Sequence, residues 1–95
     1  MIGRDITYLS PYQRTFLIHD TTMIRGNIGD TISLIPIGGD VHVVDTVGLK
    51  WRLHNSTLAF GPARGISNVL LDRVAAVTIT AGHLLCIHID KTWGR

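Results

Sequence analysis

The stretch TISLIPIGGDVHVVDTV, residues 31–47, decides the fold class of this chain. Two runs rich in Ile and Val, 31–37 and 41–47, lie on either side of the segment Gly-Gly-Asp at 38–40. Branched Cβ atoms suit a pleated strand, and a Gly-Gly pair supplies the positive φ angles that tight hairpin turns require. The stretch therefore predicts two antiparallel strands joined by a hairpin turn.

The composition of the rest of the chain extends this prediction. Ile, Val and Thr make up nearly a third of the sequence, whereas Glu is absent and Lys and Gln are almost so. Straight-chain residues that favour helices are therefore scarce. A second hairpin is predicted where the runs 77–80 and 85–89 flank Ala-Gly-His at 81–83. We expect a mainly β fold, a small antiparallel barrel or sandwich of six to eight short strands.

The segment 67–76 allows two interpretations. Ser67 could cap a helix with one apolar face, or two strands could lie on either side of Asp72 and Arg73. Because helix-favouring residues are scarce, we expect at most one short helix in the domain, over residues 67–73.

The order of segments over residues 53–90 offers an alternative architecture. A Thr-Leu-Ala-Phe strand at 57–60 is followed by Val-Leu-Leu-Asp-Arg-Val at 69–74 and by two more strands. This order resembles the later strands of small pleckstrin-homology-like domains. The resemblance implies a pleckstrin-homology-like partial barrel as the alternative to a closed barrel or sandwich.

Length and charge bound the organisation of the chain. Ninety-five residues supply one hydrophobic core, so we expect a single domain over residues 1–95. Charged residues make up 17% of the sequence, against about 25% in typical domains, which leaves few polar side chains to cover the exterior. We therefore predict a homo-oligomer formed through apolar strand surface, with another protein as a further partner. This favours a non-enzymatic binding or assembly module, of a process that the sequence does not identify.

Cysteine and histidine usage bear on compartment and cofactors. The single cysteine, Cys86, excludes an internal disulfide and is typical of the reducing cytoplasm. No stretch approaches the roughly 20 apolar residues of a spanning helix, so no membrane contact is expected. The five histidines occur without HxxxH or CxxC spacing, and we expect neither a metal nor a cofactor.

Cys86, His88 and Asp90 are the right residue types for a nucleophile, a base and an orienting carboxylate. They alternate along a predicted strand, which separates neighbours on one face by about 6.5–7 Å. A nucleophile and its base must lie within hydrogen-bonding distance, which this spacing does not provide. We therefore predict a solvent-facing polar stripe with no catalytic residues, in a protein that is not an enzyme.

Strict alternation over residues 49–54 predicts a strand with one buried and one basic face. Its basic face could join arginines of later segments to form a patch that meets phosphates, as in small β-barrels that bind single strands. The candidate nucleic-acid-binding residues are Lys50, Arg52, His54, Arg64 and Arg73. Trp51 is predicted to point to the opposite, buried face, so the patch lacks a stacking aromatic. A nucleic-acid-binding small β-barrel is accordingly the alternative function.

Overall fold

The computed structural model describes residues 6–9, 13–61 and 66–91, and these form an antiparallel all-β fold. The strands are β1 Ile6–Leu9, β2 Gln13–Ile18, β3 Thr21–Arg25, β4 Thr31–Val47, β5 His54–Leu58, β6 Ile66–Val69 and β7 Val74–Ile89. The mainly β prediction is confirmed, although β4 and β7 have 17 and 16 residues and are far longer than expected. No described residue is helical, so no helix spans residues 67–73; β6 and a bend occupy that segment. Consequently none of the described segments could cross a membrane as a helix.

The two long strands form the centre of the sheet. β4 and β7 pair along their length, from Thr31 opposite Ile89 to Val47 opposite Ala76. Both stretches that were predicted as hairpins therefore lie inside single strands, and both hairpin predictions are wrong. The two halves of each stretch pair with the other long strand instead of with each other.

Glycines mark the place where this long ladder is interrupted. Gly38 and Gly39 have φ angles of 74° and 154°, and Gly82 has a φ of 91°. The register shifts at this point, because four residues of β4 stand against one of β7 between the pairs Ile37–His83 and His42–Ala81. Positive φ angles serve a bulge within a strand as well as a hairpin turn, which is why the sequence pattern was misleading.

The shorter strands flank opposite halves of the long pair. β2 pairs with the C-terminal half of β7 and β6 with the N-terminal half of β4. β3 pairs with the N-terminal half of β7 and β5 with the C-terminal half of β4. β1 extends the first half beyond β2.

Apolar side chains from both halves fill one hydrophobic core. Each half of both long strands contributes, as do β2, β3 and the loops. The buried apolar residues are Ile18, Ile24, Ile32, Leu34, Val41, Val43, Leu49, Leu70, Ala75, Val77, Ile79, Leu84 and Cys86. Since both halves surround the same core, they fold over it as a small sandwich or barrel.

The C-terminal half of β7 faces the other way from its predicted orientation. Cys86 is fully buried and His88 is 7% exposed, whereas Leu85 and Ile87 are only half-buried. The predicted solvent-facing stripe is therefore an inward face. His88 can be buried because both of its ring nitrogens have hydrogen-bond partners.

Candidate functional site

One end of the domain is built from three loops. They connect β3 to β4, β4 to β5 and β6 to β7, as residues 26–30, 48–53 and 70–73. Main-chain hydrogen bonds join them: Gly29 donates to the Leu70 carbonyl at 2.9 Å, and Leu71 donates to the Gly48 carbonyl at 2.8 Å. We refer to these three segments as the three-loop end. Its irregular backbone is fixed by the neighbouring loops rather than by a strand ladder.

The Trp51 side chain is exposed to solvent, and the buried side chain of Asn68 holds the Trp51 backbone in place. Asn68, fully buried in β6, accepts a hydrogen bond from the Trp51 amide at 2.9 Å and donates to the Trp51 carbonyl at 2.6 Å. The preceding residue, Lys50, donates its amide to the Val69 carbonyl at 2.9 Å. Trp51 itself is 54% exposed. The loop therefore offers a large aromatic side chain from a position that its backbone fixes.

The Lys50 side chain lies against this indole. Its ammonium nitrogen is 4.8 Å from the centre of the Trp51 ring, which is a cation–π distance. The prediction that Trp51 points to a buried face opposite Lys50 is therefore wrong. Gly48, with a φ of 83°, ends the regular strand before this segment, and Leu49 makes an isolated bridge with Leu70. The residues that follow form a loop, so the alternating pattern does not define two faces.

Arg52 is paired with a carboxylate of β4. Its Nε and Nη2 donate to Asp45 at 2.8 Å and 3.0 Å, and His54 Nδ1 lies 3.7 Å from the same carboxylate. The hydrogen bond from Arg52 holds the pKa of Asp45 at about 2, well below its ordinary value. In return, Asp45 raises the pKa of Arg52. The positive charge of Arg52 is thus compensated within the domain.

The predicted basic patch is only partly assembled. Lys50 covers an indole, while Arg52 and His54 share one aspartate. Arg73 is exposed in the third loop, where its carbonyl accepts a hydrogen bond from the Gly26 amide at 2.9 Å. Arg64 lies outside the described residues. The structure therefore brings two of the five predicted residues together, around a carboxylate that offsets their charge.

A buried polar network fixes the first loop. The Asp30 carboxylate accepts hydrogen bonds from the Asn27 and Lys91 amides, each at 2.9 Å, and from His88 Nε2 at 2.8 Å. Arg14 Nη2 lies 2.8 Å from His88 Nδ1. Because a guanidinium can only donate, Nδ1 is the acceptor and Nε2 carries the proton of a neutral imidazole. Burial opposes ionisation of Asp30, but its hydrogen bonds outweigh that effect, so its pKa lies below the ordinary value.

The described residues support neither a reactive cysteine nor a metal site. Burial raises the pKa of the Cys86 thiol to about 12, so this thiol stays protonated and unreactive. Within residues 13–61 and 66–91, no three His, Cys, Asp or Glu side chains form a group that could hold a metal ion.

A groove lies between the end of β2 and the start of β3, away from the three-loop end. Its lining residues are Ile18, His19, Asp20, Ile79, Thr80, Ala81, Gly82 and His83. Its volume of about 200 Å³ is below the roughly 300 Å³ at which pockets for drug-sized ligands begin. The lining residues of the groove also include no Phe, Tyr or Trp, so the three-loop end is the stronger candidate for a binding site.

The fold and the three-loop end together define a small all-β domain that displays an aromatic side chain on loops joined by hydrogen bonds. The family model described as "Thiamin pyrophosphokinase, vitamin B1 binding domain" matches residues 20–85. The chain belongs to this family. The matched residues include all three loops of the candidate site.

Individual relatives agree with this membership. The chain is 34% identical over 76 residues to "Thiamine pyrophosphokinase 3" of Oryza sativa subsp. japonica, a match that covers 80% of this chain and 27% of the relative. The crystal structure of thiamin pyrophosphokinase from Geobacillus thermodenitrificans superposes with a TM-score of 0.74 at 20% identity, over 86% of this chain and 39% of that one. The Bacillus subtilis enzyme has the same TM-score and coverage at 22% identity. These structures show the fold, and the chain spans about a quarter to two-fifths of the proteins it matches.

Family membership corrects the functional predictions. A non-enzymatic assembly module of unknown process is wrong, because the chain belongs to a vitamin-binding domain family whose matched relatives bear the name of an enzyme. The alternative prediction, a nucleic-acid-binding function, is corrected on the same ground. The partial-barrel alternative gains no support from these structures.

The sequence patterns did not predict the residues that build the three-loop end. The alternation of Trp51 with charged residues predicts a buried side chain, whereas Gly48, shortly before Trp51, is a signal that the strand ends there. Asn68 had no distinguishing signal in the sequence, since its role depends on the distant Trp51 backbone.

Proposed function

We propose that this chain is the thiamin-binding part of a thiamin pyrophosphokinase and that the three-loop end receives the vitamin. Thiamin combines a permanently cationic thiazolium ring with a flat aminopyrimidine. An exposed indole attracts a cation above its face and stacks on flat rings. The observation that carries the proposal is the half-exposed Trp51, held by the buried Asn68, within the matched residues.

The length of the relatives bears on which step of the reaction this domain is proposed to serve. Transfer of a pyrophosphoryl group requires groups that position and stabilise the phosphates, in addition to a platform for the vitamin rings. This chain covers 27% of the rice relative. The residues that carry out the transfer are proposed to lie in the remainder of a longer protein, while this domain binds and orients thiamin.

The compartment proposed for the domain is the cytoplasm. Cys86 is a free, fully buried thiol in the core. A core that keeps its cysteine reduced is typical of proteins that work in a reducing compartment.

The test is a calorimetric titration of the chain with thiamin. We expect Trp51→Ala to weaken binding about five- to 150-fold, since stacking on one aromatic side chain contributes about 1–3 kcal/mol. Trp51→Phe should retain part of the affinity. Phe60→Ala is the matched control, because Phe60 is 55% exposed and Trp51 is 54% exposed, but Phe60 follows β5 instead of preceding it. Unchanged affinity in Trp51→Ala, or no heat of binding in the unmodified chain, would overturn the proposal.

A further inference from the structure

The Lys50 ammonium occupies the place that a cationic ligand would take. It lies 4.8 Å from the centre of the Trp51 ring, within the range in which an indole attracts a positive charge. Thiamin carries its own permanent positive charge in the thiazolium ring. The three-loop end thus already holds a cation of the chain itself against its aromatic side chain.

The Lys50 side chain is less restrained than that of the neighbouring cation, Arg52, and can move off the indole. Arg52 is fixed by two hydrogen bonds to Asp45. The Lys50 main chain is held through its amide, but its side chain is exposed, and four methylene groups separate the ammonium from the backbone. The ammonium can therefore move off the indole while the loop backbone stays in place.

We propose that Lys50 is a specificity-determining residue, an internal competitor that covers the Trp51 indole and is displaced by the vitamin. This proposal rests on the proposed function. The displaced ammonium stays on the same short loop, so it repels the cationic ring of thiamin and attracts the phosphates of thiamin diphosphate. Lys50 therefore lowers the affinity for the vitamin and raises the affinity for its diphosphate.

The decisive experiment compares both ligands on the full chain by calorimetry at low ionic strength. Removing the charge with Lys50→Met should strengthen thiamin binding about two- to fivefold, the equivalent of one exposed cation–π contact. The same substitution should weaken thiamin diphosphate binding. These opposite signs distinguish a charge effect from a change in loop structure, which would move both affinities in one direction.

Two control variants isolate the position and the charge. Lys50→Arg keeps the charge and should preserve the wild-type ratio of the two affinities. Thr80→Asp lowers the net charge by one, as Lys50→Met does, but at the exposed position in the groove beyond the three-loop end. It should leave the ratio unchanged. Added salt should reduce the difference between wild type and Lys50→Met, because it screens exposed charges.

Nuclear magnetic resonance gives a direct readout of the displacement. In the free protein the ε-methylene protons of Lys50 should be shifted upfield by the indole ring current, and thiamin should move them downfield. Thiamin binding that leaves these protons unmoved, or Lys50→Met changing both affinities in the same direction or neither, would overturn the role of Lys50 alone. Failure of every variant to bind thiamin would overturn the proposed function as well.

Discussion

At the scale of single residues, Asp30 makes the stability of the domain depend on pH. Its folded pKa lies below the ordinary value of 3.8, because two main-chain amides and His88 donate to the buried carboxylate. A folded state that releases the proton more readily than the unfolded chain is stabilised by the ionised group above about pH 4. That contribution is lost as the pH falls through the folded pKa.

We therefore expect Asp30→Asn to be less stable than the wild type at neutral pH, by about 1–3 kcal/mol. Its stability should also decline less steeply under acid conditions. Urea unfolding at intervals between about pH 2 and pH 7 measures both effects. Asp72→Asn, in the exposed third loop, is the control and should follow the wild-type curve. Equal acid slopes for Asp30→Asn and the wild type would contradict the assignment.

Contacts between residues that are distant in sequence, such as those of His88, could not be predicted. The alternation over residues 85–89 correctly predicts a strand, but the predicted orientation of its two faces is wrong, because a histidine that has two buried partners can replace an apolar residue in the pattern. Those partners, Arg14 and Asp30, are separated from His88 by 74 and 58 positions. Only the folded chain brings such distant residues together.

At the scale of elements, the glycines of β4 and β7 set how closely the two long strands approach. A Cβ at Gly82 would lie 2.6 Å from the Asp40 carbonyl oxygen and 2.8 Å from a methyl group of Val41. A Cβ at Gly38 would meet nothing within 4 Å. Both glycines have φ angles in the left-handed region, so the two positions differ mainly in the space around them.

The pair Gly82→Ala and Gly38→Ala therefore separates backbone strain from crowding. Both substitutions should cost about 1–2 kcal/mol for a left-handed residue with a side chain. Gly82→Ala should cost about 1–3 kcal/mol more, because the added methyl group overpacks the contact between the strands. Chemical denaturation of the two variants beside the wild type measures the difference. Equal losses would show that the strands do not approach each other closely at Gly82.

The same elements show how much of the fold the sequence predicted. β-branched residues identified strand positions correctly over both long stretches, because that preference is local. Whether a glycine pair reverses the chain or interrupts a continuing strand depends on which segment lies alongside. β4 and β7 each find a partner of nearly equal length in the other, and the long ladder between them replaces two short ones.

At the scale of the whole molecule, an apolar row crosses three strands on the exterior. Met23 and Val47 are 54% and 62% exposed, and both are register partners of Ala76, which lies between them. Charged residues make up 17% of the sequence, so the chain has few charged side chains to place around this row. The self-association and the single domain over residues 1–95 inferred from composition both stay predictions.

Self-association is expected to proceed through this row, because burying two large apolar side chains against a second copy removes them from water. Light scattering coupled to size exclusion, over a range of protein concentrations, should show a mass above that of one chain. The double substitution Met23→Lys and Val47→Lys should shift the distribution towards single chains, by placing like charges on the facing surfaces. Thr80→Lys adds a charge at an exposed position away from the row and should leave the mass unchanged. A wild-type chain that remains monomeric at the highest concentration would show that the row stays open to solvent in this chain.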